Sequence, residues 1–430
     1  MLLESTARPS PHARRSILAR NPRAVLIADR HGMRQATRQG VAAVGGDALR
    51  ALRSMLRGVR QGKWPDEGGI AGALSYDAAR PGPGSWSPKL IALAVDRFLV
   101  EEESVTGDGG DCGPLPWVDA LIEPAPSPVA EAPALPIDLS RWSNLTRADH
   151  RRLVGIVQEH IAAGDIYQAN LSQQFDLPWA AGGMALYAAL RKISPAPFAG
   201  YLRAGGIEIA SASPERLLSV IDGRATTRPL AGTRPRSADQ AEDRALAAEL
   251  LLSEKERAEH LMLVDLARND LGRVAEIGSV TVDELMIVEE QSHVRHIVSN
   301  VTARLRAGAD ALDALAALFP GGTITGVPKI RCMEILDAVE PARRGFYTGA
   351  LFYVTPSGRL DANILIRSAV VAGGRVTFHA GGGIVADSDP DREYEETLHK
   401  AEGMKLALES VVAGRAAPAP GSQGAPGDAH

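Results

Sequence analysis

From Thr146 onward, the chain groups its strand-like and helical segments in blocks, and this order constrains the fold more than any other feature. The predicted helices cover about 147–163, 238–268 and 390–411. The predicted strands lie near 167–175, 199–203, 207–211, 216–221, 347–354, 360–370 and 375–380. Because strands and helices do not alternate strictly, the pattern predicts an α+β architecture.

Composition divides the chain into four regions. Residues 1–122 contain short strand-like runs and one segment of helical spacing, and residues 123–140, rich in Pro and Ala, predict a linker. Residues 141–412 carry all the motifs described below. Residues 413–430 are rich in Ala, Pro, Gly and Ser, which predicts a disordered tail.

Charge and composition exclude several functional classes. A net charge of −5 favours neither nucleic acid nor an anionic membrane as a partner. The sequence has no apolar run of about 18 residues, so we expect no membrane span, and the first residues lack the apolar segment of a secretory signal. Two cysteines, Cys112 and Cys332, provide neither a disulfide framework nor a metal cluster. A cytoplasmic location is the simplest expectation.

Paired carboxylates on two predicted helices are the first chemical signal. Glu393, Glu396 and Lys400 share one helical face, and Glu256 and Glu259 are also one turn apart. Carboxylate oxygens suit Mg²⁺, which retains several waters. Spacing alone leaves a second interpretation open, in which these residues form two solvated charged faces.

Two glycine-rich segments form the second signal. Residues 319–329 read Phe-Pro-Gly-Gly-Thr-Ile-Thr-Gly-Val-Pro-Lys, but they lack the Gly-Lys-Ser/Thr sequence of a phosphate-binding P-loop. A glycine-rich turn that opens a helix can still present backbone N–H groups to an anion. Residues 380–385, Ala-Gly-Gly-Gly-Ile-Val, predict another such turn after a strand. An ordinary tight turn is the alternative for each segment.

Seven motifs in a fixed order carry a family resemblance. They are Gly164–Ser172, Ser213–Arg216, Pro229–Arg236, Leu263–Arg273, Ser292–Val298, the 319–329 segment and the 380–385 segment. This ordered set resembles the chorismate-using synthases, which include anthranilate synthase component I, aminodeoxychorismate synthase component I, isochorismate synthase and salicylate synthase. The resemblance is dense over about 150–410 and looser over the first 100 residues. It implies two large stacked antiparallel sheets flanked by helices, with the active site in the cleft between them.

The resemblance also implies roles for individual residues. Glu259 and Glu396 would hold Mg²⁺, with Glu256 and Glu393 close by, and the ion would neutralise charge as the chorismate hydroxyl leaves. Glu215 would be the general acid that protonates this hydroxyl. Substrate-binding roles fall on Gly232, Thr233, Tyr347, Arg367, Gly382, Gly383 and Lys400. His296 and Thr323 would line the ring, and a possible tryptophan pocket would include Leu3, Glu4 and Ser5.

Two positions bear on the reaction. Isochorismate and salicylate synthases carry a water-activating Lys where this chain has Gln168, so ammonia is the expected nucleophile. Aminodeoxychorismate synthases usually carry a Lys, which forms a covalent adduct with the ring, where this chain has Ala231. Neither cysteine lies in a nucleophile-elbow sequence, so we expect a separate glutamine amidotransferase subunit to supply the ammonia.

The motifs divide between two products. Ala231 and the segments Ser292-His-Val and Glu254–His260 resemble anthranilate synthase. The Gly321-Gly-Thr-Ile-Thr-Gly and Ala380-Gly-Gly-Gly segments, Ser194-Pro-Ala-Pro-Phe-Ala and the chain length resemble the aminodeoxychorismate branch. We therefore expect aminodeoxychorismate synthase component I, an enzyme of para-aminobenzoate and folate synthesis. The alternatives are anthranilate synthase component I, of tryptophan biosynthesis, and an inactive subunit that binds chorismate or tryptophan.

Overall fold

The computed structural model describes most of the chain in several segments. These are residues 1–4, 15–19, 24–29, 32–37, 39–59, 68–79, 90–95, 99–102, 133–204, 206–235, 252–290 and 294–416, with isolated residues between 239 and 249. Cys112 and Ser5 lie outside the described residues, as does most of the predicted linker.

The helices of the described segments are numbered in chain order. They are α1 (Ala48–Gly58), α2 (Arg147–Ala162), α3 (Gly183–Ile193), α4 (Glu254–Gly272), α5 (Ala311–Leu318), α6 (Lys329–Val339) and α7 (Pro390–Ala416). Polar caps fix several of their starts. Thr146 and Asp149 form a reciprocal capping box at α2, Asp310 and Asp313 form another at α5, and Ser253 caps α4.

The strands fall into two groups along the chain. The first group is β1 (Leu2–Glu4), β2 (Arg15–Leu18), β3 (Ala24–Asp29), β4 (Gly32–Thr37), β5 (Gly40–Ala43), β6 (Gly69–Leu74), β7 (Leu90–Val95) and β8 (Leu99–Glu102). The second begins with β9 (Gln168–Pro178), β10 (Phe198–Ala204), β11 (Ile207–Ser213), β12 (Arg216–Ile221), β13 (Arg224–Thr227) and β14 (Leu230–Pro235). It continues with β15 (Thr281–Glu290), β16 (Val294–Arg304), β17 (Gly326–Val327), β18 (Ala350–Val354), β19 (Leu360–Asn363), β20 (Ser368–Ala372) and β21 (Arg375–Ile384).

These strands form two large antiparallel sheets within the described part of the chain. The first has the order β17-β9-β21-β20-β11-β10-β1-β2-β8. The second has the order β14-β16-β13-β12-β19-β18-β6-β7-β3-β4-β5, with β15 paired to β16. The expected α+β fold with two large antiparallel sheets flanked by helices is therefore confirmed.

The two sheets meet through a shared apolar cluster. Leu202 and Ile209 come from the first sheet, Ala73 and Ile91 come from the second, and all four are buried in one cluster with Phe346. Helices α3 and α7 cover the first sheet, and α1, α4 and α5 pack with the second. Apolar area on both sheets is thus removed from water, which supplies the main driving force for this arrangement.

The N-terminal strands are integrated into both sheets. Strand β1 pairs with β10, with Leu2 opposite Tyr201, and β6 pairs with β18, with Gly72 opposite Phe352. The boundary expected at residue 122 lies outside the described residues and stays a prediction. At the other end, α7 continues to Ala416, four residues into the segment expected to be a disordered tail.

Two local predictions were wrong. The glycines at 381–383 do not form a turn, because they lie within β21 and pair with Ser172, Leu171 and Asn170 of β9. The strand expected over 360–370 is divided into β19 and β20. Arg367, just before β20, has a φ of 49°, which a continuous strand does not accommodate.

No helix in the described segments combines the length and apolar character needed to cross a membrane.

Gly326 provides a test of the close packing of β17 against β9. Its φ is +127°, and an added Cβ would lie 2.8 Å from both Ala169 Cα and Cys332 Sγ. We expect Gly326→Ala to lower the free energy of unfolding by about 2–4 kcal/mol, from backbone strain and overpacking together. Chemical denaturation measures this loss. Gly308→Ala is the matched control, because Gly308 has a φ of +83° with nothing within 4 Å. Equal losses in the two variants would contradict the close approach of β17 to β9.

Candidate active site

The amino end of β9 and the carboxyl end of β21 bring two helices together. Gln168 begins β9, is 4% exposed and donates from Nε2 to Glu259 Oε1 of α4 at 2.7 Å. A Cβ built on Gly383 would lie 3.7 Å from Glu259 Oε1. A Cβ on the neighbouring Gly382 would lie 3.1 Å from Glu393 Oε2 and 3.5 Å from Glu396 Oε1 of α7. Bare glycine backbone therefore lies beside carboxylates from both helices, as the resemblance implied.

The donor set around these glycines fits magnesium in its chemistry. It consists of carboxylate oxygens, and Mg²⁺ needs only one or two carboxylates when substrate and water complete its octahedron. The described residues contain no group of three His, Cys, Asp or Glu side chains placed to hold one metal ion. A site here would therefore rest on Glu259 and Glu396 with external ligands. Glu256 lies one turn before Glu259, in the first turn of α4.

Each carboxylate already has a partner of its own. Glu393 Oε1 accepts from Ser388 Oγ at 2.7 Å, and Glu396 Oε1 pairs with Lys400 Nζ at 2.7 Å. Lys400 Nζ also donates to Gly381 O at 3.1 Å. In this structure the ammonium of Lys400, predicted to contact a substrate carboxylate, is bonded to Glu396 and to Gly381 O. Its ammonium thus lies at the backbone of β21, the strand that contains Gly381, Gly382 and Gly383.

Glu215 is a buried carboxyl between β11 and β12. It is 4% exposed, and its Oε1 accepts from Thr323 Oγ1 at 2.7 Å. Burial raises the pKa of Glu215 to about 7, while the hydrogen bond from Thr323 acts in the opposite direction. A carboxyl with this pKa carries its proton at neutral pH in a substantial fraction of molecules. It can therefore act as a general acid.

The backbone around Glu215 is held from two sides. Ser213 Oγ donates to Ile364 O at 2.5 Å, and Ile364 N donates to Glu215 O at 3.0 Å. Thr323 lies in the short 3-10 turn Gly322–Ile324, where Thr325 Oγ1 donates to Gly321 O at 2.8 Å. These bonds place the hydroxyl of Thr323 against the carboxyl of Glu215 without depending on an exposed loop.

A second group of predicted residues can bind a carboxylate. Tyr347 is 6% exposed and stacks on His379 with ring centroids 5.0 Å apart, and burial raises the pKa of its phenol. His296 Nδ1 lies 3.1 Å from Gly232 O, and burial lowers the pKa of His296. Arg367 is exposed, and its guanidinium forms no ion pair with any described residue. The charge of Arg367 lowers the pKa of His296, so the two side chains lie near each other.

Strand β14 has an irregularity at the predicted ring-binding residues. The register between β14 and β16 shifts between Ala231 and Arg234, and Gly232 has a φ of 62°. This bulge lies across from His296. The side chain of Thr233 is outside the described residues, as is that of Glu4. Leu3 is partly buried against apolar clusters of the first sheet, so the tryptophan pocket stays a prediction.

Lys329 does not face an anion site, although the glycine segment before it suggested one. Its Nζ donates to Asp270 Oδ2 and to Leu318 O at 2.8 Å, and the pair is largely buried. The segment therefore joins α4, α5 and α6 and positions Thr323. Within the segment, the side chain that bonds to Glu215 is that of Thr323.

Sequence reasoning missed a buried ion pair behind the site. The side chains of Arg344 and Glu340 are 1% and 4% exposed, and they are joined by two hydrogen bonds of 2.8 and 2.7 Å. Arg344 also donates to Ile324 O at 2.9 Å and to Asn170 O, and Glu340 accepts from Ser172 N at 2.9 Å. The four-residue spacing of the pair was the only available signal, and exposed helix pairs show the same spacing.

Comparison with known proteins places the chain in a family. Residues 9–406 match the family of chorismate binding enzymes. The chain belongs to this family. It is 44% identical to anthranilate synthase component 1 of Streptomyces coelicolor over 402 residues, which cover 86% of this chain and 79% of that protein. It is also 44% identical to the Pseudomonas aeruginosa protein of the same name over 370 residues, which cover 80% and 75% of the two chains.

A solved structure agrees with this placement. The crystal structure of anthranilate synthase component I from Streptococcus pneumoniae superposes with a TM-score of 0.76 at 32% identity. The match covers 92% of this chain and 93% of that one. The expected assignment to aminodeoxychorismate synthase, with its para-aminobenzoate and folate context, was therefore wrong. These relatives carry the name of the alternative product, anthranilate.

Gly321 and Gly382, which favoured the aminodeoxychorismate branch, differ from alanine only in how their neighbours pack. A Cβ on Gly382 would meet only the flexible ends of Glu393 and Glu396, so Gly and Ala differ little there. A Cβ on Gly321 would lie 2.8 Å from Ile364 Cδ1, so the residue type at 321 depends on how its neighbour packs. Neither difference, Gly or Ala at 382 or at 321, adds or removes a polar side chain.

The raised pKa of Glu215 predicts a dependence of stability on pH. Between about pH 4.5 and 7, folded Glu215 retains a proton that the unfolded chain has lost, so stability falls as pH rises through this window. We expect Glu215→Gln to remove this loss and to gain stability relative to wild type as pH rises from 4.5 to 7. Denaturant unfolding at several pH values measures the difference. A constant difference across the window would contradict the buried, protonated carboxyl.

Proposed function

We propose that this protein is the chorismate-converting subunit of an anthranilate synthase. It would release anthranilate and pyruvate from chorismate and ammonia. The observation that carries the proposal is the buried acid Glu215, bonded to Thr323, in a chain 44% identical to two proteins named anthranilate synthase component 1. Ala231 supports the same product, because an alanine cannot form the covalent adduct of the aminodeoxychorismate branch.

Glu215 supplies the proton in this proposal. A carbon–nitrogen bond forms between ammonia and the ring, the bond between the ring and its hydroxyl breaks, and the carboxyl of Glu215 protonates the departing oxygen to give water. The added nitrogen then releases one proton, which balances the proton supplied by Glu215. In a second step the ring carbon that bears the nitrogen loses its proton, the carbon–oxygen bond to the enolpyruvyl group breaks, and protonation of the released enol gives pyruvate and the aromatic ring of anthranilate. Burial keeps this proton on Glu215 near neutral pH, because the charged form is poorly solvated. Thr323 Oγ1 donates to Glu215 Oε1, which in this proposal leaves Oε2 to carry the proton that is transferred.

The remaining predicted residues hold the two carboxylates of chorismate. Arg367 has a guanidinium without an ion-pair partner among the described residues, and it can form a charge-assisted bond to the enolpyruvyl carboxylate. The phenol of Tyr347, held by its stack on His379, donates to the same group. The ring carboxylate would lie against the glycine backbone at Gly382 and Gly383, and the ammonium of Lys400, which donates to Gly381 O, lies beside it.

Magnesium would be held by Glu259 and Glu396, and when bound it would neutralise the ring carboxylate and the charge that develops in the reaction. In this proposal Gln168 holds Glu259 in place through its Nε2 donor. The ammonia would come from a glutamine amidotransferase subunit, as the names of the relatives suggest by their designation as component 1.

An assay of the product tests the proposal directly. The purified chain with chorismate, Mg²⁺ and an ammonium salt should form anthranilate, followed by fluorescence, together with equimolar pyruvate. Glu215→Gln should lower kcat by about 100-fold or more, since general acids contribute on this scale. Glu276→Gln is the control, because Glu276 lies at the surface and pairs with Arg304. An aminated product without pyruvate, or full activity in Glu215→Gln, would overturn the proposal.

The same assay predicts a pH dependence. Because Glu215 must carry its proton, kcat/KM expressed per free ammonia should fall as pH rises through about 7. Counting free ammonia separates this decrease from the deprotonation of ammonium, which raises the rate. A flat profile between pH 6 and pH 8 would be inconsistent with Glu215 as the acid.

The carboxylates on α4 and α7 give a separate test. Glu259→Gln and Glu396→Gln should each raise the Mg²⁺ concentration needed for half-maximal activity at least about tenfold, because each removes one anionic ligand. Glu395→Gln is the matched control: Glu395 is adjacent to Glu396 but pairs with Arg147. If Glu395→Gln changed the Mg²⁺ requirement as much as Glu396→Gln, the metal site would be misplaced.

A further inference from the structure

Two buried amide side chains on β9 have oxygens without partners. Gln168 is 4% exposed and Asn170 is 7% exposed. Among the described residues, neither Gln168 Oε1 nor Asn170 Oδ1 has a hydrogen-bond partner. A buried oxygen without a donor destabilises the folded state, typically by about 1–3 kcal/mol. Two such oxygens lie within three residues of β9, beside the glycines of β21. This arrangement indicates a ligand that donates hydrogen bonds to them.

The two oxygens belong to one face of the sheet. Residues two apart in a strand point to the same side, so Gln168 and Asn170 project together. A Cβ on Gly381 would lie 3.0 Å from Asn170 Oδ1, and one on Gly383 would meet Gln168 Nε2. Both amides therefore extend over glycines that leave space for them. The bond from Gln168 Nε2 to Glu259 fixes the amide orientation, so the atom left for a ligand is the oxygen.

The unpaired groups select ammonia over water by their chemistry. Ammonia has three N–H donors and one lone pair, so two bonds to carbonyl oxygens leave the lone pair free to attack. Water has two lone pairs, and these two neutral acceptors supply no donor for either of them. They also cannot remove a proton from water. Neutral oxygens do not require the charged ammonium form, which has no lone pair.

We propose that Gln168 and Asn170 together form the ammonia site, with Asn170 as the second acceptor, and this inference rests on the proposed function. Ammonia donates one hydrogen bond to Gln168 Oε1 and another to Asn170 Oδ1. Its lone pair then faces the substrate ring. The backbone of Asn170 is held independently, because its N–H donates to Thr325 O and its C=O accepts from Arg344.

Steady-state kinetics with an ammonium salt as the sole nitrogen donor test the site. Asn170→Leu keeps a similar shape without the acceptor, so the KM for ammonia should rise roughly fivefold to twentyfold, the effect of losing one hydrogen bond. The KM for chorismate should stay within about twofold, since the scaffold bonds of residue 170 use its backbone. Asn300→Leu is the control, because the Asn300 amide donates to Asp283 Oδ1 at 2.6 Å.

The outcomes separate this inference from the proposed function. Wild-type protein that forms no anthranilate would overturn both. An active wild type whose KM for ammonia is unchanged by Asn170→Leu, or changes in step with that for chorismate, would overturn the ammonia site alone. If Asn170→Leu does not fold, Asn170→Ser replaces it. The shorter serine hydroxyl should raise the KM for ammonia selectively, and an unchanged value would again exclude the site.

Discussion

The ion pair between Arg344 and Glu340 connects the parts of this site that must stay in register. Both side chains are buried, and a buried charge is tolerated only when its partner and further hydrogen bonds compensate for lost hydration. Here the further bonds go to backbone atoms of other segments: Ile324 O beside Thr323, Asn170 O on β9, and the N–H of Ser172. The guanidinium also lies 5.7 Å from the ring centroid of Tyr347. One pair thus links the segment that holds Thr323, strand β9 and the ring of Tyr347.

The bonds of Arg344 and Glu340 hold the backbone around Thr323 and β9, which keeps Glu215 poorly solvated. Glu215 has a pKa of about 7 only because water is kept from it, and a mobile loop at Thr323 would admit water. Among the described residues, the buried oxygens of Gln168 and Asn170 have no hydrogen-bond partner. The backbone carbonyls of Ile324 and Asn170 accept from Arg344, whereas the two side-chain oxygens are left for a ligand in the proposed reaction. In the proposed reaction, Glu215 and these two oxygens face the substrate.

Much of the architecture could be predicted, because local periodicity and capping residues determined it. Helix α2 was expected over 147–163 and runs from Arg147 to Ala162, where the Thr146 capping box begins it. The pairing of β1 with β10 joins residues about 200 positions apart in sequence, which periodicity does not encode. The glycines of β21 were read as a turn, because glycine marks turns more often than strands beside carboxylates.

The candidate site also has residues that the sequence predicts and residues that it does not. Glu215, Glu259, Glu393 and Glu396 could be named from ordered motifs, and the structure places the last three beside Gly382 and Gly383. Asn170 was overlooked, although it lies within a quoted motif, because an asparagine in a strand gives no sign of an unpaired oxygen. The choice of product depends on the small side chain at one position, residue 231. Ala231 contributes only a methyl group beside the bulge in β14, so in the proposed reaction no side chain there competes with ammonia for the ring. The nucleophile must then come from the opposite sheet, where Gln168 and Asn170 present acceptors but no base.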